Sequence, residues 1–365
     1  MVCANTMTLD IPLSQLLPPP IPAAAVAAPS RRRQTALAPG MRIGVWRIES
    51  ELGRGGMATV YAVVHTRFGK RAALKLAHGA ILGPQFTPQT FLREARIANL
   101  IDHAGVPDVF ATGSYAGRPY LAMERLHGCA LGARLDEGSL PRDAALEILI
   151  ELCDVLGAAH TAGVIHGDLK VENVFLLAEP GAGGRRVKLL DWGIARIAGE
   201  DDPLHGMIAG TLTYVAPEQI RGDAITPASD VYSLGVLAYR LLLGGAPFTA
   251  SGDLELLHKH LREEPPRPRT RWPGIPAELE ATLLAMLAKQ PDQRPSLPDI
   301  ARVLLAARKR LRSSTLGWLA QRAERPADPI GRPMVGQLPG RAQRVAGAAL
   351  GAAMVIASLL RLISA

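Results

Sequence analysis

The spacing of apolar residues changes once along the chain. From Val45 to about residue 126, apolar and polar residues alternate in short runs, which is the period of a half-buried β-strand. These runs predict four strands, WRIESEL, ATVYAVVHT, AALKLAH and YLAMERL, with one helical stretch, FLREARIANL, before the last of them. After about residue 140, helical spacing takes over in AALEILIELCDVLGAAH, DVYSLGVLAYRLLLG, ELEATLLAMLAKQ and DIARVLLAARKRL. The pattern predicts an α+β protein in which a small β-rich lobe precedes a larger helical lobe, with a cleft between them.

The two ends of the chain lack this periodicity. Residues 1–44 are rich in Pro and Ala and predict a disordered leader, because a Pro-dense run cannot form a packed helix. Its three consecutive arginines follow the apolar stretch, whereas a secretory signal carries its basic residues first. Residues 312–344 are rich in Arg, Gly and Pro, which is typical of a flexible linker. We therefore expect the folded domain to span residues 45–311.

An uncharged segment follows the predicted linker. Residues 345–360 would form a helix of about 24 Å, which crosses a bilayer core of about 30 Å only if Arg344 and Arg361 reach the two surfaces. We expect residues 345–363 either to anchor a cytoplasmic domain in the inner membrane or to pack as an interfacial Ala-rich helix. The run GAALG in this segment has the GxxxG spacing that packs two such helices into a homodimer. Only four residues follow Arg361, which predicts no extracellular sensor domain.

Composition and charge exclude several classes of protein. The chain has 365 residues, of which 48% are hydrophobic, so bulk disorder is excluded. Its 3 cysteines are too few and too scattered for a disulfide framework or a CxxC metal site, which favours a reducing compartment. The net charge of +8 lies at the two ends, since residues 46–300 hold 26 Lys and Arg against 30 Asp and Glu. We expect no nucleic-acid partner, because such a domain carries its basic stripe on the fold itself.

Chemistry-bearing residues begin in the β-rich half. LGRGGMATV is a glycine turn between two strands, where amides can approach a phosphate without an intervening Cβ. A glycine hairpin alone is more often only a turn, and Ala58 stands where G-x-G-x-x-G has its third glycine. No helix is predicted directly after it, which argues against a dinucleotide-binding βαβ unit. Lys75 lies in an apolar strand and so needs a partner, for which Glu94 is available unless it is an ordinary solvated helix charge.

The second half carries the decisive run. VIHGDLKVENVF places polar residues between apolar, strand-like flanks, and DWG follows the apolar KLL. Asp168, Asn173 and Asp191 provide three oxygen groups at the ends of short strands. Hard oxygen donors completed by water are what Mg²⁺ on a nucleoside triphosphate requires.

These elements, in this order, resemble the bacterial form of the eukaryotic-type, or Hanks-type, Ser/Thr protein kinase domain. The resemblance covers roughly residues 45–311 and includes the glycine turn, the AALK lysine, the helix glutamate, HGDLKVEN, DWG, the Ala-Pro-Glu that ends at Glu218, and DVYSLG. It implies a bilobal kinase fold that uses ATP and Mg²⁺. It also implies transfer of phosphate to Ser and Thr hydroxyls of protein substrates in signalling, the chain itself among them.

The resemblance implies a role for each matched residue. Asp168 would accept the substrate hydroxyl proton, Lys170 would steady the transferred group and Thr211 would support both, while Asn173 and Asp191 would bind Mg²⁺. The ATP site would consist of Leu52, Gly53, Arg54, Gly55, Gly56, Met57, Ala58, Thr59, Val60, Ala73, Lys75, Glu94, Met123, Glu124 and Leu126. In this set Lys75 and Glu94 form an ion pair, Met123 is the gatekeeper and Glu124 to Leu126 form the hinge that reads adenine. Glu218 would pair with Arg294 as a structural ion pair.

The chain departs from the family pattern at several positions. The usual His-Arg-Asp is His-Gly-Asp here, with Gly167 in place of the arginine that would grip a phosphorylated loop. The run IARIAGEDDPLHGMIAG contains no Ser, Thr or Tyr, so both halves of a phosphorylation switch are absent together. We therefore expect activity without phosphorylation of this segment, with Thr213 as the remaining candidate site. Trp192 replaces the commoner Phe, and its larger volume is expected to offset the small Ala98 on the facing helix.

Two other functions fit part of the pattern. A small-molecule phosphotransferase of the aminoglycoside or choline kinase type shares the fold and often carries His-Gly-Asp, but it lacks the Ala-Pro-Glu segment, Asp230 and Lys170. A pseudokinase scaffold would lose one of the charged residues of the cleft. All of those residues are present here: Lys75, Asp168, Asn173 and Asp191.

Overall fold

The computed structural model describes residues 37–78, 88–197, 200 and 211–311, with only the backbone for residues 88–90. The predicted leader up to residue 36, the linker and the segment 345–363 lie outside the described residues. Within the described part, no helix is both long enough and apolar enough to cross a bilayer.

The first part of the described chain is a six-stranded antiparallel sheet in the order β1-β2-β3-β4-β6-β5. Its strands are β1 Arg42–Ile43, β2 Trp46–Arg54, β3 Ala58–His65, β4 Arg71–Ala77, β5 Val109–Tyr115 and β6 Arg118–Met123. Trp46 and Ile48 of β2 are buried, and after a register shift between Ile48 and Ser50 half-buried and exposed residues alternate. Trp46, Ile48, Tyr61 and Leu74 belong to the apolar core of this lobe.

One helix, α1 (Pro88–Ile101), packs against β5 and β6. Its buried face includes Glu94, Ala95, Ile97 and Ala98. The helical period therefore directs the Glu94 carboxylate inward, towards the sheet that carries Lys75.

The second part of the chain is helical and encloses the largest core of the described residues. Its helices are α2 Leu131–Asp136, α3 Arg142–Thr161, α4 Pro217–Arg221, α5 Pro227–Leu243, α6 Asp253–Arg262, α7 Ala277–Met286 and α8 Leu297–Leu311. Helix α5 is buried almost all round, and α3 packs between α5 and α8. A helix that is apolar on every side belongs at the centre of a lobe, and α5 occupies that position.

Short strands between the lobes position the polar runs. β7 (Gly128–Ala130), β9 (Val174–Leu177) and β10 (Val187–Leu189) form one antiparallel sheet, and β8 (Val164–Ile165) pairs with β11 (Arg196–Ile197). HGDLKVEN lies between β8 and β9, and DWG lies between β10 and β11. Both runs therefore emerge from the same edge of these two small sheets.

The α+β bilobal expectation is confirmed, with local differences. Arg42 and Ile43, assigned to the leader from composition, form β1, which pairs with β2, and Ile43 is fully buried. The run YLAMERL predicts a longer strand than β6, which ends at Met123, and α7 ends at Met286, before the end of its apolar pattern. The strand-like flanks of HGDLKVEN and the apolar run before DWG are β8, β9 and β10, as predicted. β1, β5, β7, β11, α2, α4 and α6 were not predicted; most of them are too short to show a period.

Candidate active site

A half-buried lysine lies between two carboxylates at the inner face of the sheet. Lys75 Nζ donates to Glu94 Oε2 at 2.7 Å and to Asp191 Oδ1 at 2.9 Å. Lys75 comes from β4, Glu94 from α1 and Asp191 from the DWG run, so this cluster ties three elements together. The predicted Lys75–Glu94 pair is formed.

The three charged groups of this cluster shift one another's pKa values. Burial lowers the pKa of Lys75, but the two carboxylates outweigh burial and raise it above the ordinary value. The positive charge of Lys75 lowers the pKa of Asp191, against the effect of burial. Burial raises the pKa of Glu94, and Lys75 opposes that shift. A permanent cation and an ionised Asp191 therefore face the cleft at neutral pH.

A second cluster surrounds Asp168. Lys170 Nζ donates to Asp168 Oδ2 at 2.5 Å, and Asn173 Nδ2 donates to the Asp168 carbonyl at 2.9 Å and to Oδ2 at 3.3 Å. The Thr211 amide donates to Asp168 Oδ1 at 3.3 Å, while its side chain is exposed. The four residues predicted to share the catalytic position are brought together, although Thr211 contacts Asp168 through its backbone rather than through its hydroxyl.

The backbone before Asp168 is fixed from the helical lobe. Asp230, fully buried on α5, accepts the amides of His166 at 2.9 Å and Gly167 at 2.8 Å, and His160 Nε2 at 2.8 Å. Burial raises the pKa of Asp230, but the hydrogen bond and charge of His160 outweigh it and hold the pKa below its ordinary value. Gln219 Nε2 donates to the Gly167 carbonyl at 3.0 Å. Asp168 is therefore presented by a loop whose preceding amides and carbonyl are all anchored.

The His166 ring links the two polar runs. Its Nε2 lies 3.1 Å from the Leu190 carbonyl, and its Nδ1 accepts the Asp168 amide at 3.2 Å, which assigns the ring proton to Nε2. The Trp192 ring packs edge-on against it at 4.6 Å, and Trp192 Nε1 donates to the Leu189 carbonyl. Trp192 and Ala98 belong to the same core. That the large Trp192 side chain compensates for the small Ala98 stays a prediction.

The glycine turn joins β2 and β3. Gly53 is paired with Val60, and the Gly55 amide donates a hydrogen bond to the Ala58 carbonyl at 2.9 Å. Gly53, Gly55 and Gly56 all have ordinary φ angles, and a Cβ at Gly53 or Gly56 would meet nothing within 4 Å. Neither backbone conformation nor packing requires glycine there. The turn thus leaves open space beside its backbone, as the close approach of a phosphate needs.

His78 supports this turn and was missed by the sequence analysis. Its Nε2 lies 2.8 Å from the Thr59 hydroxyl, its Nδ1 3.3 Å from the Gly56 carbonyl, and its amide donates to the Met57 carbonyl at 2.8 Å. Burial lowers the pKa of His78, which keeps the ring neutral at pH 7. A histidine one residue after a strand gives no sequence signal of such a contact.

The predicted hinge follows β6. Ala73 on β4 is paired with Met123, the last residue of β6, so the two lie side by side where β6 leads into the hinge. The Glu124 amide already donates to the Asp108 carbonyl, whereas the Leu126 amide has no partner among the described residues. The Leu126 amide is therefore available as a hydrogen-bond donor in the predicted hinge. Leu52 and Met57 are exposed, and Val60 is half-buried.

Lys188 on β10 braces the hinge from the helical lobe. Its Nζ donates to Glu124 Oε2 at 2.6 Å and to the Val106 carbonyl at 3.1 Å. No sequence pattern singles out Lys188, because its partner lies 64 residues earlier in the chain.

The predicted Glu218–Arg294 pair is also formed. It is bidentate, with Nη1–Oε1 at 2.6 Å and Nη2–Oε2 at 2.7 Å, and Ser229 donates to the same carboxylate at 2.7 Å. Burial raises the pKa of Glu218, but the Arg294 hydrogen bonds outweigh it and hold the pKa below its ordinary value. This pair ties α4, which contains Glu218, to Arg294 in the turn before α8.

The donor set of the cleft fits ATP and Mg²⁺. Asn173 uses its side-chain nitrogen on Asp168, which leaves its side-chain oxygen Oδ1 available to a metal ion, and Asp191 retains Oδ2 beyond its bond to Lys75. The described residues contain no group of three or more His, Cys, Asp or Glu side chains that would hold a metal alone. Two oxygen ligands with phosphate and water is the arrangement that suits Mg²⁺.

Comparison with known proteins agrees with this geometry. The family described as "Protein kinase domain" matches residues 46–304. The chain is 38% identical over 310 residues to "Serine/threonine-protein kinase Pkn1" of Myxococcus xanthus, which covers 83% of this chain and 44% of that protein. The chain belongs to the protein kinase family. It is also 34% identical over 251 residues to "Serine/threonine-protein kinase PknB" of Mycobacterium tuberculosis, covering 67% of this chain and 39% of that protein.

The kinase fold is matched by a solved structure as well. The crystal structure of a point mutant of the Mycobacterium tuberculosis PknI kinase domain superposes with a TM-score of 0.58 at 26% identity and covers 75% of this chain and 99% of that one. The kinase domain is thus of the bacterial Hanks type. The chain spans less than half of the length of Pkn1 and of PknB.

Proposed function

We propose that this kinase domain transfers the γ-phosphoryl group of ATP to Ser and Thr hydroxyls of protein substrates, its own chain among them. The convergence on Asp168 carries the proposal: Lys170, Asn173 and the Thr211 amide all donate to it. A carboxylate fixed in this way, with a cation beside it, is suited to accept a hydroxyl proton while a phosphoryl group arrives.

Each charged group then has a separate task. Lys75, kept protonated by its two carboxylates, would hold the α- and β-phosphates, and Glu94 would fix the direction of its ammonium group. Asn173 and Asp191 would hold Mg²⁺, which neutralises charge that develops between the β- and γ-phosphates. Lys170 would neutralise the oxygens of the transferred group next to Asp168. The glycine turn Gly53 to Gly56 and the Leu126 amide would receive the phosphates and the base.

Phosphate transfer by the full chain tests this function. The protein is incubated with Mg²⁺ and γ-labelled ATP beside Asp168→Asn, followed by phosphoamino-acid analysis. We expect label on Ser and Thr, and a fall of about 10²- to 10⁴-fold in the variant, the usual loss when a general base is removed. Glu278→Gln, which breaks an exposed ion pair with Arg302, is the control and should keep full activity. A wild-type chain that binds ATP but transfers no phosphate to protein would overturn the proposal.

We further propose that residues 345–363 attach the kinase to the cytoplasmic face of the inner membrane and pair two copies through GAALG. The absence of charge in residues 345–360, with an arginine at either side, supports this arrangement.

A further inference from the structure

One carboxylate after the DWG run bridges two arginines of α1. Glu200 Oε1 forms an ion pair with Arg96 Nη2 at 2.8 Å, and Glu200 Oε2 accepts a hydrogen bond from Arg93 Nη2 at 3.3 Å. Arg93 and Arg96 are three residues apart and so lie on one face of the helix. Glu200 lies 107 residues after Arg93 in the chain, so the bridge is a tertiary contact between α1 and the segment that follows DWG.

Because Arg93 is largely buried, loss of this bridge should cost more free energy than loss of an ordinary surface ion pair. The Arg93 side chain is only 15% exposed, and its Nε is buried without a hydrogen-bond partner among the described residues. A buried guanidinium that is left without an anion is costly, and a second arginine on the same helix face repels it. Glu200 supplies the negative charge that both arginines require.

The position of the bridge connects it to the catalytic cluster. Arg93 precedes Glu94 directly, and Glu94 Oε2 is the atom that holds Lys75 at 2.7 Å. A force that draws this turn of α1 towards the segment after DWG also holds Glu94 against Lys75. A Cβ at Gly193 would lie 3.9 Å from Glu94 Oε2, which shows how closely the DWG run approaches the helix.

A fixed carboxylate can also take the place of a phosphorylated side chain, which this segment cannot provide. The run from residue 194 to residue 210 contains no hydroxyl side chain, and residue 167 has no side chain that could bind a phosphate. A phosphorylated side chain would place an anion opposite an arginine cluster only after modification, whereas Glu200 carries its charge from synthesis.

We propose that Glu200 is a positioning residue whose carboxylate, held by Arg93 and Arg96, keeps α1 and Glu94 against Lys75 in place of a phosphorylated side chain. This inference rests on the proposed kinase function, whose regulation it specifies: the site is assembled without prior phosphorylation of the segment after DWG. The bridge biases a two-state position of α1, and its loss shifts the population towards a state in which Lys75 is no longer paired with Glu94.

The test uses the full chain and the variants Glu200→Gln and Arg96→Gln, with Glu278→Gln as the matched control. Loss of two partly exposed ion pairs should shift the equilibrium between the two positions of α1 by about tenfold. We therefore expect kcat/KM to fall about tenfold in Glu200→Gln. Amide hydrogen exchange in the α1 peptide should rise in parallel. Arg96→Gln should have the smaller effect, because it leaves the Arg93–Glu200 pair in place, and the double variant should lose little more than Glu200→Gln, which already removes both ion pairs. The control should change neither quantity.

A charge exchange separates the bridge from a general effect on folding. Glu200→Arg combined with Arg96→Glu restores opposite charges and should recover part of the activity and of the α1 protection, relative to Glu200→Arg alone. If Glu200→Gln does not fold, Arg96→Gln carries the test, since Arg96 is 65% exposed. An active wild type with unchanged kcat/KM and α1 exchange in both single variants would overturn this inference and leave the kinase function standing. An inactive wild type would count against the proposed function, while the exchange experiment still tests the bridge.

Discussion

Gly167 adopts a backbone conformation that most residues avoid. Its φ is +75°, its amide bonds to Asp230 and its carbonyl accepts from Gln219. A Cβ at this position would lie 3.1 Å from Arg196 Nη1. The glycine relieves backbone strain at the residue before Asp168, and its absent side chain leaves room for the Arg196 guanidinium. Asp191 adopts a similar φ of +63°, which aspartate tolerates better than most residues.

Gly167→Ala should therefore lower the free energy of unfolding by about 1–2 kcal/mol, the cost of a left-handed conformation for an L-residue. Gly183→Ala is the matched control, because Gly183 has a φ of +68° and nothing within 4 Å of its Cβ position. Both variants should lose a similar amount of stability in urea unfolding. Only Gly167→Ala should also lower kcat, since its Cβ presses on Arg196 beside the catalytic loop. Equal kcat values for the two variants would contradict this account of Gly167.

At the scale of elements, α4 is tied to the turn before α8 by the Glu218–Arg294 pair, whose side chains are 1% and 0% exposed. A buried pair costs desolvation, so its presence does not by itself stabilise the fold, but removal of one partner leaves an unpaired buried charge. Glu218→Gln should therefore lower the free energy of unfolding at pH 7 by about 3–5 kcal/mol. Glu278→Gln, at the exposed pair with Arg302, should change it by less than about 0.5 kcal/mol.

The same pair predicts a pH dependence. The pKa of Glu218 is held below its ordinary value of 4.5 in the folded state. Its contribution to stability is therefore complete above that value and is lost as the pH falls through the lower, folded pKa. The difference in unfolding free energy between wild type and Glu218→Gln should shrink as the pH falls below about 4.5. A difference that stays constant down to about pH 3 in urea unfolding would show that Glu218 does not titrate in this way.

At the scale of the whole molecule, the excess positive charge and the uncharged segment 345–360 lie beyond the kinase domain, whose residues 46–300 carry more acids than bases. Attachment to a membrane would therefore depend on the tail and not on the surface of the kinase lobes. Val355→Arg, which places a charge near the centre of the segment, should release the full chain from the membrane fraction, because a central arginine costs about 2.5–3.5 kcal/mol. Val355→Ala is the control and should stay with the membranes. A wild-type chain found in the soluble fraction would contradict the membrane proposal.

The sequence by itself determined that a strand-rich part precedes a helical part, and it named the residues that we propose for the cleft. Apolar periodicity is a local property, and Lys75, Asp168, Asn173 and Asp191 stand in short runs whose residue types already restrict their chemistry. Only the tertiary structure decided which distant groups support them. His78 beneath the glycine turn, Lys188 behind the hinge and Glu200 against α1 each meet partners far along the chain or outside any motif. Such contacts depend on how the lobes and helices pack, and packing is not encoded in the spacing of neighbouring residues.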